Sequence, residues 1–182
     1  MLSDRTIRQL VERGDVLSIK SHDDEGWPIQ PEQWQPASVD LRLGSVVGAM
    51  HARGDNYEAL PAWVIPPRTF CLGSTIEVVT LGRDLCGRVE GKSSWARRGL
   101  MIHCAGFVDP GFSGELTLEM FNLSEHSIHV RAGKRIAQIC FDWLDKTPLS
   151  QYGDPGLRSR YQGQAGPTPA RDWVTDIGVA HP

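Results

Sequence analysis

Two periodicities organise the chain. Ile7, Leu10 and Val11 form one apolar stripe between Ser3 and Arg13, a spacing that predicts a helix capped by Ser3 and stopped by Gly14. Beyond it the period falls to two: Val39-Asp40-Leu41-Arg42-Leu43 alternates as a half-buried strand should. Further short strands are predicted at Thr69–Leu72, Ile76–Val79, Cys86–Val89, Leu100–His103, Leu116–Phe121, Ile128–Val130 and Ile136–Trp143. Turn residues separate them, at Pro66-Pro67, Gly73-Ser74, Gly82-Arg83, Asp109-Pro110-Gly111 and Ala132-Gly133. Many short strands with Gly/Pro turns predict an all-β sandwich or barrel. The polar stretch from His22 to Gln35, with Pro28 and Pro31, reads as a surface excursion. From Tyr152 onward Gly, Pro and Arg dominate without periodicity, yet Tyr161, Gln164 and Trp173 are odd choices for an idle tail.

Composition narrows the class. A chain of 182 residues, 40% hydrophobic and 23% charged, fits one soluble domain over 1–182. No apolar run approaches the ~20 residues that cross a bilayer, and the charged N-terminus lacks the apolar core of a signal peptide. The expectation is a cytoplasmic protein with no membrane partner. A net charge of −3 and pI near 6.1 give no global field for a nucleic-acid backbone. Locally the balance reverses: Arg83, Arg88, Lys92, Arg97, Arg98, Arg131, Lys134 and Arg135 crowd the middle of the chain. That suits a small polyanion better than a long one. The cysteines at 71, 86, 104 and 140 form no Cys-x-x-Cys pair, so they read as reduced and mostly buried, and a zinc site is not expected.

The chemistry concentrates between Gly91 and Asn122. Gly91, Lys92, Ser93, Ser94 and Arg97 form a compact donor cluster of backbone N–H groups, hydroxyls and cations that could surround phosphate oxygens. It is not a P-loop, since Gly-x-x-x-x-Gly-Lys-Ser/Thr is missing, and a solvated turn explains the same residues. In Gly114–Asn122 the residues Leu116, Leu118 and Met120 share one strand face, and Thr117, Glu119 and Phe121 the other. A mid-strand carboxylate either faces solvent on an open sheet or lines a pocket. In a pocket, partial desolvation would raise its pKa toward the range useful for proton transfer. Asp109 before Pro110-Gly111 has an ordinary turn reading, and His103 and Cys104 have structural ones.

Together these segments resemble a known family. Lys92-Ser-Ser-Trp-Ala-Arg97, followed by Ala105-Gly-Phe-Val-Asp-Pro-Gly-Phe-Ser-Gly-Glu-Leu-Thr-Leu-Glu119, is similar to the dCTP deaminase branch of the trimeric dUTPase superfamily. Ala37–Gly44, Arg135–Cys140 and Ser159–Arg171 resemble its first strand, late strand and C-terminal segment. The resemblance implies an all-β, distorted β-barrel or jelly-roll with a short N-terminal helix, a C-terminal segment (about 152–182) that closes over the nucleotide, and a homotrimer with active sites at subunit interfaces. It implies Glu119 as the residue that moves protons for water attack on C4 of cytosine, with Ser93 and Arg97 positioning water and carboxylate. Lys92, Ser94, Gln138, Tyr152, Arg160 and Gln164 would hold the triphosphate with Mg²⁺, Asp109 the 3′-hydroxyl, and Thr117 and Leu118 the base.

Zinc-dependent nucleobase deaminases use His-x-Glu with Pro-Cys-x-x-Cys, and neither occurs here. The resemblance therefore implies water activated by one carboxylate, with Mg²⁺ bound only through the nucleotide. Arg160 stands where this family has Lys, so a planar fork replaces a point charge. The segment between Gly99 and Asp109 is one residue shorter than in similar deaminases, which leaves dTTP inhibition open. Gly106-Phe107 resembles the pair in deaminases that continue to dUMP. The alternatives are a dUTP diphosphatase of the same fold, which would not need Glu119, and a silent nucleotide-binding homologue.

Overall fold

The structure, a computed structural model, describes residues 1–21, 29–48, 60–102 and 106–171. Helix α1 (Asp4–Arg13) precedes β1 (Leu17–Ser21), β2 (Trp34–Gln35), β3 (Ser38–Gly48), β4 (Ala62–Ile65), β5 (Phe70–Leu81) and β6 (Leu85–Gly91). A one-turn helix α2 (Ser93–Ala96) leads to β7 (Leu100–Ile102), β8 (Phe107–Val108), β9 (Ser113–Asn122), β10 (Ile128–Arg131) and β11 (Arg135–Trp143). The main sheet runs β7-β9-β5-β3-β11-β6-β8, with β1 added to β5 and β2 to β3, while β10 and β4 form a separate antiparallel ribbon. The sheet curls on itself, and Leu41, Leu43, Leu118, Met120, Ile136, Ile139 and Phe141 fill its interior with no exposure. The predicted all-β barrel class holds.

Three local readings need correction. Ser3 occupies the N-cap position of α1 but makes no side-chain cap bond; its hydroxyl lies 3.5 Å from that of Thr6. At the other end Gly14 behaves as expected, with φ of 69° and its N–H on the Leu10 carbonyl, the left-handed stop that only glycine adopts cheaply.

The strands predicted at Thr69–Leu72 and Ile76–Val79 are one strand, β5. Gly73 is not a turn: a Cβ there would sit 2.9 Å from both Leu43 and Met120, so glycine permits close approach of facing layers. The β5–β9 register slips between Ser74 and Val78. In that irregularity the Thr75 hydroxyl accepts the Leu116 N–H at 2.9 Å and donates to the Glu77 carbonyl at 2.7 Å. A side chain thus stands in for missing ladder bonds.

The stretch from His22 to Gln35 is not a simple excursion. Residues 22–28 lie outside the described residues, but Gln33 is buried at 1% exposure. Its amide donates to the Asp40 carbonyl and to Glu77 Oε1, both at 2.8 Å. Glu77 also accepts from the Arg42 backbone N–H at 2.8 Å and from Arg42 Nε at 2.7 Å. Burial nevertheless pushes the Glu77 carboxyl above its usual range, with Arg42 opposing the shift.

That balance yields a prediction. Glu77 binds its proton more tightly folded than unfolded, so its contribution to stability is greatest at acid pH and falls as pH rises through the folded-state value. Arg42→Leu removes the opposing cation and leaves an uncompensated buried carboxylate at neutral pH, a change that costs about 3–5 kcal/mol. Urea unfolding should show a smaller loss at acid pH than at neutral pH. Equal losses at both pH values would mean that the pair does not control Glu77 ionisation.

Candidate active site

β9 carries the central carboxylate. Its burial alternates as the sequence predicts: Leu116, Leu118 and Met120 are buried, while Thr117, Glu119 and Phe121 on the opposite face are half-buried. Glu119 pairs with Leu72 of β5. Two residues on, Phe121 pairs with Phe70 of β5 and Met101 of β7. Phe70 is 39% and Met101 42% exposed, so an open apolar row flanks the carboxylate. Leu118 lies in the core on the other face, so a base resting beside Thr117 could meet only its backbone.

The C-terminal segment lies along the first half of this face. Gly163 N–H bonds the Ser113 carbonyl at 2.8 Å, and Glu115 N–H bonds the Gln164 carbonyl at 3.0 Å. The Gln164 amide donates to the Glu115 carbonyl at 2.7 Å and accepts from the Thr117 hydroxyl at 3.4 Å. Gly166 N–H reaches Glu115 Oε2 at 2.7 Å, and Thr168 N–H the Thr117 hydroxyl at 3.1 Å. Nearby, Tyr152 packs on Phe112 with ring centroids 5.7 Å apart, and its hydroxyl accepts the Tyr161 N–H at 3.1 Å. Tyr152 N–H bonds the Pro110 carbonyl at 2.8 Å, which brings it beside exposed Asp109. Arg160 contacts Arg171, each guanidinium donating to the other's carbonyl.

Gly114 makes this docking possible: a Cβ there would lie 3.0 Å from both N and O of Gln164, and its φ is +155°. Gly114→Ala should displace the segment and speed tryptic cleavage at Arg158 and Arg160 by about tenfold, the factor lost with ~1.4 kcal/mol of docking. Unchanged cleavage would mean that the segment does not depend on this contact.

A second group of predicted residues surrounds α2. Lys92 Nζ lies 2.6 Å from both Asp40 carboxylate oxygens, and Arg135 Nη1 is 3.1 Å from one of them. Asp40 is fully buried. Alternation along β3 made it look like a solvent-facing residue; instead two cations and the 3-10 turn at Pro31–Gln33 cover it. Lys92 therefore has a structural anchor that the sequence did not reveal. Gln138, paired with Asp40 and Glu90 across the ladder, accepts from the Ser38 hydroxyl at 3.4 Å. Ser93, Ser94 and Arg97 are exposed on α2. Lys92 and Ser94 also line an open pocket of about 400 Å³ with Arg42, Arg98, Lys134 and Arg135.

The chain thus gathers its predicted site residues into two groups. Lys92, Ser93, Ser94, Arg97 and Gln138 belong to β6, α2 and β11; Asp109, Thr117, Glu119, Tyr152, Arg160 and Gln164 belong to β9, the turn before it and the C-terminal segment. In the strand order β5, β3 and β11 stand between β9 and β6. On the other side of the curled sheet α2 leads into β7, which pairs with the end of β9; there Leu123 N–H bonds the Gly99 carbonyl, four residues and ~13 Å along the strand from Glu119.

Gly106 bonds Val89 through its carbonyl at 2.8 Å, and Phe107 projects at 53% exposure. His103 and Cys104 lie outside the described residues, as does Trp173. No pattern in the chain marks Asn122. It is fully buried and donates to carbonyls of Ile65, Pro66 and His126 at 2.8–3.0 Å, so it locks the exit of β9. Cys71, Cys86 and Cys140 are free thiols; burial pushes Cys71 up to about 12, which keeps it protonated and inert.

Residues 1–144 match the family described as dCTP deaminase-like. The chain belongs to the dCTP deaminase-like family. A dUMP-forming dCTP deaminase of Thermobifida fusca (strain YX) is 38% identical over 191 residues, covering 96% of this chain and 93% of that protein. One from Tropheryma whipplei (strain Twist) is 43% identical over 176 residues, covering 84% and 90%. The crystal structure of 2′-deoxycytidine 5′-triphosphate deaminase from Agrobacterium tumefaciens superposes with a TM-score of 0.60 at 28% identity. It covers 77% of this chain, which spans about half of that one (47%). The fold extends to the native dUTPase of EIAV, with a TM-score of 0.51 at 19% identity over 76% of this chain and 98% of that one. The dCTP deaminase-like match includes both Lys92 and Glu119 and stops before Tyr152, Arg160 and Gln164. Those three are covered by the relative that spans nearly the whole chain.

Proposed function

We propose that this protein deaminates dCTP and carries the product on to dUMP and diphosphate. The observation that carries this reading is Glu119, mid-strand on the open face of β9, two residues beyond Thr117, where the C-terminal segment docks. The dUMP-forming names of the full-length relatives support the second step. In the first step Glu119 takes a proton from water as the oxygen adds to C4, and N3 is protonated. The tetrahedral carbon then expels its amino group, which leaves with a proton as ammonia while the C4 carbonyl forms. Ser93 and Arg97 hold the water and orient the carboxylate. In the second step water attacks the α-phosphorus and the bond to the β-phosphate bridging oxygen breaks, releasing diphosphate. General acid–base assistance of the first kind contributes roughly 10²–10⁴-fold.

The same proposal places residues of two chains at each site. The apolar row of Phe70, Phe121 and Met101 beside Glu119 supports burial of that face by a neighbour. A closed homotrimer of single-domain subunits would set α2 of one subunit against β9 of the next. Lys92, Ser94, Gln138 and Arg160 are donors suited to phosphate oxygens. Among the described residues no group of three or more His, Cys, Asp or Glu could hold a metal. Mg²⁺ carried by the triphosphate would offset phosphate charge. Among the described residues no helix is long and apolar enough to cross a membrane, which is consistent with a cytoplasmic enzyme of nucleotide supply.

Ammonia release separates this reading from its nearest rival. With Mg²⁺ present, dCTP should yield ammonia. A dUTP diphosphatase would release diphosphate from dUTP and no ammonia from dCTP, and that outcome would overturn the proposal.

A further inference from the structure

The 400 Å³ pocket beside α2 contains more cations than the site residues named so far require. Arg42, Lys92 and Arg135 line it, and their charges face the buried carboxylates of Glu77 and Asp40. Glu32 is a third carboxylate in the lining. Three cations against three carboxylates leave Arg98 and Lys134 as the local excess.

Arg98 is also held in place. Its guanidinium lies 5.4 Å over the Trp95 ring, a cation–π contact, and the Trp95 indole N–H is fixed on the Arg135 carbonyl at 2.9 Å. Arg98 lies in the turn that follows α2, and it lines the same opening as Ser94. Lys134 lines the same opening, just ahead of β11. A planar guanidinium, an ammonium and a hydroxyl around one opening suit phosphate oxygens, and Trp95 is the one large apolar wall.

Resting on the function proposed above, we propose that Arg98 and Lys134 form an anion-binding rim for the two terminal phosphates of the nucleotide and for the diphosphate that leaves. Half-buried Lys92 and exposed Ser94 line the same space, so the triphosphate would run from them toward Arg98 and Lys134. The Arg98–Trp95 stack lowers the entropy lost when the guanidinium engages a phosphate.

Calorimetric titration with inorganic diphosphate and Mg²⁺ tests the rim directly, on the intact protein. Arg98→Leu and Lys134→Met should each weaken diphosphate binding about tenfold, the scale of one lost charge-assisted hydrogen bond. The KM for dCTP should rise by a similar factor, far more than the rate at saturation falls. Lys146→Met, beyond the opposite end of β11, serves as the charge control and should bind diphosphate as the unmodified protein does. Unchanged diphosphate binding in Arg98→Leu and Lys134→Met, or an equal loss in Lys146→Met, overturns the rim. The titration is independent of turnover: if dCTP released no ammonia, the proposed activity would fail while diphosphate binding still decided the rim.

Discussion

Glu119→Gln is expected to abolish ammonia release while leaving dCTP bound within severalfold of its original affinity. The amide keeps the size of the side chain and one acceptor, but it cannot take up and return a proton at neutral pH. The loss should therefore fall on the turnover rate, by at least the roughly 10²–10⁴-fold that general acid–base assistance supplies. Leu72 and Met120, on either side in the β5–β9 ladder, are untouched, so the strand should keep its register and the protein its melting temperature. Near-normal turnover in this variant, measured as ammonia from saturating dCTP, would remove Glu119 from the chemistry.

A second large effect concerns how the site is assembled. Glu119→Gln and Arg97→Ala should each be inactive as pure proteins, because each removes one half of the site. Co-expressed in equal amounts, they should regain about one quarter of the wild-type activity. In the proposed trimer a site works only when one subunit brings an intact Glu119 and its neighbour an intact Arg97, and each condition is met half the time. No recovery in the mixed oligomers would mean that Glu119 and Arg97 of the same chain meet.

Much of this was readable in the amino-acid order, for a physical reason. β9 has strict period-two alternation, so Leu116, Leu118 and Met120 announce the core and leave Thr117 and Glu119 on the open face. What the pattern hid were residues whose environment is set from elsewhere in the chain. Asp40 alternates like an exposed strand residue, but Lys92, Arg135 and the turn carrying Gln33 close over it, 52, 95 and seven positions away. Gly73 resembles a turn residue because glycine's two uses, positive φ and close approach, look alike in sequence. The docked C-terminal segment uses backbone groups of Gly163, Gln164 and Gly166, which leave no hydrophobic period to read. The ribbon of β4 and β10 escaped in part for a similar reason: Ala62–Ile65 is short and two of its four residues are exposed.

The pocket rim and the coupled second step meet in one quantity, the diphosphate released per ammonia. Both products and the nucleotides should be followed together from the first turnovers of dCTP with Mg²⁺. Coupled turnover should give ammonia, diphosphate and dUMP rising in equal amounts with no free dUTP. Ammonia matched by accumulating dUTP, with diphosphate absent, would contradict it.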